Sequence, residues 1–434
     1  MNVLLLPIKL LRQIPAPTKL HRDVAVAMLD QALLSVFSFA LQMLLIRIWS
    51  PDQYGVFALF ANALLTLSSV HSGLFTTQYA VLVPQARDQD ERRWLRTTIF
   101  SWNVLYCAAA SLAVSLIIQG VISDLTAHRL AVGTLYFGAS LLREYTRVVM
   151  ISEGRGATAL WTDLVGLLVA ALMIALFFRF LAQPDIWQIL LSLAIGSAIS
   201  VAIEISIHRN LYPLSFGSEV RRRYADIFRR HVMWILVGIA TTEVQLRALL
   251  FLLGAWYGLA TVGVVQAGMI LFRPIGVLWF AWSRVMRPVF ARAYAEGDDA
   301  AAARLSHLSA AAFLVGTLIL LAALWLTWPL IDHYVFSYRY PGIGQAVTFW
   351  GLVMIVSFVR GTYSVRLQGQ ARFRELSHLS LIAAFLTVGL VVVIAHFFGA
   401  IDTILANVAG ELFMLGTILW IMDGSPRISK GAIK

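Results

Sequence analysis

MWILVGIATTEVQLRALLFLLG, residues 233–254, is the stretch from which the rest of this 434-residue chain is read. It is apolar and long enough for a bilayer, whose hydrocarbon core takes about 20 residues of helix at 1.5 Å rise. After a turn at Ala255-Trp256-Tyr257-Gly258 the chain returns as LATVGVVQAGMILFRPIGVLWFAW, residues 259–282, and meets a basic run from Arg284 to Arg292. Two such arms around a short turn read as a helical membrane hairpin. Charge interrupts both: Glu243 and Arg247 in the first, Arg273 followed by Pro274 in the second. A central Arg costs roughly 2.5–3.5 kcal/mol on insertion scales, so residues of this kind are functional hypotheses by default. Glu243 and Arg247 stand four apart on one helical face, which also fits a pair that only orders packing. Arg273 has no acidic residue within a turn. Pro274, with Gly268 and Gly276, weakens the helix at its charged point and marks a hinge.

Composition agrees with a polytopic membrane protein: 59% of residues are hydrophobic and 13% charged, with mean hydropathy +0.78. The net charge of +11 needs no nucleic acid, because the cytoplasmic loops of such proteins collect Arg and Lys. A single cysteine, Cys107, excludes an internal disulfide and a CxxC motif. The nine histidines have no metal-ligand spacing, and His71, His378 and His396 read as helix-end or polar-face residues. No metal and no cofactor are expected. Residues 1–22 are basic, with a VLLLPI run too short for a signal peptide.

Twelve apolar spans follow, at 24–47, 54–82, 98–120, 130–151, 158–180, 186–207, 231–253, 260–282, 306–328, 345–366, 376–398 and 402–422. With both termini cytoplasmic, 26 of the 34 Lys and Arg fall in cytoplasmic segments, four at outer ends and four inside spans. That asymmetry supports the count. The expected fold is therefore an all-α bundle of about twelve transmembrane helices in two six-helix halves, 1–207 and 231–434, joined by 208–230. Weak internal matches point to duplication. Gly154 and Gly369 end the fourth and tenth spans; Asp30 and Glu243 lie in the first and seventh; Glu204 and Glu411 lie in the sixth and twelfth. Six spans return the chain to its starting side, so the halves share one orientation, and a transport site is expected between them.

The joining segment HRNLYPLSFGSEVRRRYADIFRRH, residues 208–231, sets Val220, Tyr224, Ile227 and Phe228 at helical spacing among arginines. It reads as an amphipathic helix resting on anionic lipid, or as a basic anchor of topology. Other in-span residues share faces that could line a cavity: Asn62, Thr66, Ser69 and Gly73 on the second span, and Gln266 with Arg273 on the eighth. Ser140, Arg143 and Arg147 lie together on the fourth, and Ser357, Arg360 and Ser364 on the tenth. Ser and Thr faces also serve plain helix packing. Arg143 and Arg360 lie a few turns inside the cytoplasmic boundary and suit a cationic entrance. Arg143 has Glu144 and Arg147 nearby for local pairing. There is no HExxH, nucleophile elbow or Walker A sequence, and no enzyme activity is expected.

The run LLIRIWSPDQYGVFALFANALLTLSSVHSGLFTTQYAVLVPQARD (44–88) resembles the first-loop and second-helix region of Wzx-type polysaccharide flippases. YGLATVGVVQAGMILFRPIGVLWFAWSRVMRPVFARAYAEGDDA (257–300) is similar to their eighth helix and the segment after it, and Glu153-Gly154-Arg155 to their fourth-to-fifth loop. These flippases belong to the multidrug/oligosaccharidyl-lipid/polysaccharide (MOP) exporter superfamily. The resemblance implies a V-shaped bundle with a cationic central cavity in a bacterial inner membrane. It implies transport of an undecaprenyl-diphosphate-linked oligosaccharide to the periplasmic leaflet, for exopolysaccharide or lipopolysaccharide assembly. Arg suits bidentate phosphate contacts, so Arg273, Arg247, Arg143 and Arg360, with Gln266 and Asn62, are the expected substrate-binding residues. Asp30 and Glu243 are the acids expected to couple an ion or proton. The expected partners are the lipid-linked oligosaccharide and membrane lipids, with room for a glycan polymerase and a chain-length regulator around a monomer. Three rivals remain: a drug or cation exporter of the same superfamily, which would prefer an acidic cavity; a major-facilitator carrier, whose second-to-third loop glycine QARDQDERRWLR lacks; and a membrane polymerase or ligase, which needs a catalytic outer loop.

Overall fold

The computed structural model describes residues 19–122, 126–181, 183–228, 233–370 and 372–424. The basic segment before residue 19, the tail after 424 and the arginines at 229 and 230 lie outside the described residues. Each of the twelve apolar stretches is helical over nearly all of its described residues, the eighth being interrupted at Leu271 and Phe272. We number them α1 (Lys19–Ile48), α2 (Pro51–Leu82), α3 (Gln89–Val121), α4 (Ala127–Ser152), α5 (Gly156–Phe180) and α6 (Ile186–Ile207). They continue as α7 (Met233–Tyr257), α8 (Leu259–Ile270 and Arg273–Ala295), α9 (Asp299–Leu326), α10 (Ile343–Gly369), α11 (Phe373–Phe397) and α12 (Ile404–Gly424). No strand occurs among the described residues.

Nine of these helices are long and apolar enough to cross a membrane on their own, and the bent pair that forms α8 makes ten. The chain is a multi-pass membrane protein. Of the remaining two, α4 carries Arg143, Glu144 and Arg147 along one run, which lowers its hydropathy. The helix starts follow local chemistry. The Asp88 carboxylate accepts the Glu91 amide at 2.7 Å and starts α3 two turns before its apolar part. A capping box of Asp185 and Gln188 opens α6, and the Asp298 carboxylate caps α9.

Two of the helices are not uniform. In α2 the turn Ser72–Thr76 is a π-helix, the single-turn bulge that proteins place at special positions. In α8 the backbone breaks at Leu271 and Phe272, and the arms meet at 56° with Pro274 in the first turn of the second arm. The proline, which lacks an amide hydrogen and crowds the preceding turn, accounts for the break.

Packing sorts the chain into two compact units: residues 1–40 with 63–236, and residues 41–62 with 237–434. The dividing points fall inside α1, α2 and α7, so the end of α1 and the start of α2 pack with the second half of the sequence. Within the first unit α4 packs on α3 and α6, and α6 on α5; within the second, α10 packs on α9 and α12, and α12 on α11. The same neighbour order recurs six helices later. Two crossings are closed by glycine. A Cβ on Gly166 would lie 2.5 Å from the Gly196 carbonyl oxygen, and one on Gly196 would lie 2.4 Å from that of Gly166, so α5 and α6 meet backbone to backbone. Gly55 and Gly263 do the same for α2 and α8, at 1.9 Å from the Leu259 oxygen and 2.0 Å from the Pro51 oxygen.

The joining segment departs from expectation. Ser218–Ile227 is a helix, but its apolar face is covered by protein, not lipid. Val220, Tyr224 and Ile227 are each under 10% exposed, and Tyr224 stacks on Phe75 and Trp102. Amphipathic periodicity marks which side is apolar; it does not say what covers it.

Candidate functional site

In the first unit α4 presents Arg143 and Arg147, four residues apart, toward two acids on different helices. Arg147 lies 3.7 Å from Asp30 on α1, and Arg143 lies 3.5 Å from Asp163 on α5. Both acids are 1% exposed. The four carboxylate oxygens accept no hydrogen bond among the described residues, since both guanidinium distances exceed hydrogen-bond range. The charges are therefore balanced by proximity without being fixed by directional contacts. Arg147 also donates to Gln31 at 3.1 Å and sits 3.9 Å from Glu144. Beside this group the Thr162 hydroxyl donates to Glu204 on α6 at 2.7 Å. The glycine crossing of α5 and α6 is what brings Thr162 and Glu204 within reach.

In the second unit four of the expected residues converge. Arg247 donates to Glu243 at 2.6 Å and to the Asn62 side-chain oxygen at 2.9 Å. Asn62 in turn donates to Gln266 at 3.3 Å and to the Ala58 carbonyl at 2.8 Å. Asn62 reaches this set because the start of α2 belongs to the second unit. Arg273 opens the second arm of α8, next to the break. Arg360 is held differently, by a two-pronged contact with Glu411 at 2.7 and 3.0 Å and a longer one to Ser364 at 3.4 Å. Arg143, Arg247 and Arg360 thus each have a carboxylate beside them, so these spans are charge-balanced rather than simply cationic.

Sequence reading missed Asp163 altogether and gave no role to Glu204 or Glu411. It also misplaced His71, which is not at a polar helix end. His71 is fully buried in α2 just before the π turn, its Nε2 2.5 Å from Asn103 Oδ1, with Phe75, Tyr106 and Tyr145 around the ring. Glu153, in the turn after α4, accepts from Tyr79 at 2.8 Å and Arg96 at 2.6 Å. The position that matches it in the second half, Gln368, accepts from Arg287 at 2.7 Å. No group of three or more metal-ligating side chains occurs among the described residues. An apolar cavity of about 740 Å³ lies among α3, α4 and α6, lined by residues such as Cys107, Gly138 and Ala202. It offers nothing to a charged headgroup.

No protein-family profile and no curated protein matches this sequence. Solved structures do match in fold. The lipid II flippase MurJ in an inward closed conformation aligns with TM-score 0.66 at 12% identity, over 93% of this chain and 88% of that one. A MOP superfamily transporter from Pyrococcus furiosus aligns with TM-score 0.59 at 13% identity, over 93% and 94%. A MATE transporter in complex with MaL6 aligns with TM-score 0.57 at 13% identity, again over 93% and 94%. These likenesses run nearly end to end, and the chain has the all-helical membrane fold shared by transporters of the MOP superfamily.

Proposed function

We propose that the chain is a flippase of a bacterial inner membrane. It moves an undecaprenyl-diphosphate-linked oligosaccharide from the cytoplasmic to the periplasmic leaflet by alternating access, with both termini cytoplasmic. The observation that carries this reading is the polar set Glu243–Arg247–Asn62–Gln266 inside spans, with Arg273 at the break of α8. A diphosphate cannot cross about 30 Å of hydrocarbon unaided. Guanidinium groups bind it by charge-assisted hydrogen bonds, and amides such as Asn62 and Gln266 suit sugar hydroxyls. The prenyl tail stays in lipid throughout.

Arg273 and Arg247 hold the diphosphate, while Arg143 and Arg360 serve its entry. A proton taken up by Glu243 would release Arg247 toward phosphate, and one taken up by Asp30 would loosen Arg147 in the first unit. Each links transport to an ion gradient or to the membrane potential, worth roughly 2.3 kcal/mol per charge per 100 mV. A multidrug exporter of the same fold is the second reading. The buried acids Asp30, Asp163 and Glu204 favour it, because acids attract cationic drugs.

Proteoliposomes holding the full chain separate the two. A flippase moves a lipid-linked oligosaccharide to the leaflet where a membrane-impermeant glycan reagent reaches it, and does not move ethidium. Arg273→Ala should insert normally and lose about ten- to a hundredfold in substrate affinity, the loss of one charge-assisted contact. Lys at this position should rescue in part, keeping the charge without the planar fork. Wild-type transport by Arg273→Ala removes that residue from the site, and ethidium transport without lipid transport overturns the flippase reading.

A further inference from the structure

We propose that the segment joining the two halves of the sequence is an anionic-phospholipid site, in which Leu214 and Phe216 enter the acyl region and Arg221 and Arg222 take the headgroup. The first observation is depth. The Ser215 amide donates to the Ser101 hydroxyl of α3 at 2.9 Å, and Ser101 is 1% exposed. Ser101 lies within the apolar part of α3, beyond its charged first turns, so the loop is held at the level of the spans. Leu211 and Tyr212 anchor that loop, buried in the core beside Phe100.

The second observation is what this loop turns outward. Leu214 and Phe216, on either side of the tethered Ser215, are 55% and 68% exposed. The helix Ser218–Ile227 then spends its own apolar face on the protein, through Val220, Tyr224 and Ile227. The large apolar side chains of the helix are thus taken up by the protein, and the two loop residues are the ones left to meet lipid. Arg223 lies over the Trp94 ring at 4.4 Å and is paired with Glu219, while Arg221 and Arg222 are exposed. Trp94 and Ser101 are seven residues apart on α3, about 10 Å along the axis.

The segment therefore offers two apolar side chains at the level of Ser101 and, about 10 Å nearer the water at Trp94, the Arg223 guanidinium, with Arg221 and Arg222 exposed on the same helix. Membrane-surface elements bury their apolar groups to about 5–10 Å below the headgroup boundary. The charge selects an anionic headgroup over a zwitterionic one, by roughly fivefold per arginine near the surface. The occupant is a phospholipid of the surrounding leaflet, and the site is separate from the transport residues of the proposed function.

Native mass spectrometry of the full chain, delipidated and titrated with phosphatidylglycerol, reads the headgroup part. Arg221→Ala with Arg222→Ala should weaken the tightest phosphatidylglycerol binding by about 30-fold at most and leave phosphatidylcholine binding unchanged. Arg292→Ala with Arg304→Ala removes the same charge elsewhere and should change little. A nitroxide on Leu214→Cys in vesicles of phosphatidylglycerol and phosphatidylcholine reads the depth: strong relaxation by oxygen and weak relaxation by aqueous nickel are expected. A water-exposed label, equal losses in the control pair, or equal loss of both lipids would overturn the site. So would unchanged phosphatidylglycerol binding with impaired binding of an undecaprenyl-diphosphate lipid, which would give the arginines to the substrate.

Discussion

Arg360 on α10 and Arg143 on α4 occupy similar places in the two halves of the chain, and their acids hold them in different ways. Glu411 grips Arg360 with both oxygens at 2.7 and 3.0 Å. Asp163 stands 3.5 Å from Arg143, and neither of its oxygens accepts a hydrogen bond among the described residues. Two parallel short contacts fix both the angle and the distance of a guanidinium. A single longer approach leaves the charge compensated and the geometry open. The second half has an ion pair that resists rearrangement; the first has one that a small shift, a proton or a competing ligand can reorganise. Similar residue types at similar places thus give a lock in one unit and a movable contact in the other.

The largest expected effect tests the lock. Glu411→Ala leaves a partly buried guanidinium without its partner, which costs about 3–5 kcal/mol. The purified variant should show a sharply lower melting temperature, and Arg360→Leu combined with Glu411→Leu should recover most of it. A stable single variant would show that the two-pronged contact does not hold α10 to α12. Next comes Arg247→Ala, which removes a charged hydrogen bond to Asn62 worth about 1.5–3 kcal/mol. Exchanging the residues, Glu243→Arg with Arg247→Glu, should restore expression but not transport if Arg247 binds substrate. Restored transport would make the pair purely structural.

Asp163→Asn should cost less than Glu411→Ala, on the order of 1 kcal/mol, because no hydrogen bond is lost with the charge. Thermal melts of Asp163→Asn and Glu411→Gln side by side decide this directly: equal losses would erase the distinction between the two units. Ser364→Ala is the smallest, within about 0.5 kcal/mol, since its 3.4 Å contact only supplements the Glu411 grip. A larger loss would give Ser364 part of the lock.

What the sequence made legible follows from what is local. Apolar runs of about 20 residues announce spans because the bilayer sets their length. Glu243 and Arg247 announced their pairing because four residues make one helical turn. Pro274 announced the break in α8 because it removes a backbone donor. The Arg247–Asn62 contact joins residues 185 apart, and no periodicity reports that. Asp163 carried a readable signal, a lone acid within the apolar span 158–180, and the rule that made Asp30 a candidate applies to it equally. Its partner Arg143 was noticed with Glu144 and Arg147 as neighbours, although the acid that approaches it lies on the next helix. The linker's periodicity was read correctly, yet only the tertiary structure shows Phe75 and Trp102 covering that face.

The division of α1 and α2 between the two units bears on how the chain is made. Residues 41–62 leave the ribosome before the rest of their unit, and Gly55 packs on Gly263, synthesised about 200 residues later. At roughly 5–20 residues per second, the start of α2 waits on the order of 10–40 seconds for its partner. During that interval the glycine face lies open in the bilayer, beside whatever insertase or neighbouring helix is at hand. The first hairpin is thus made well before the unit to which it belongs, and its integrity depends on translation reaching α8.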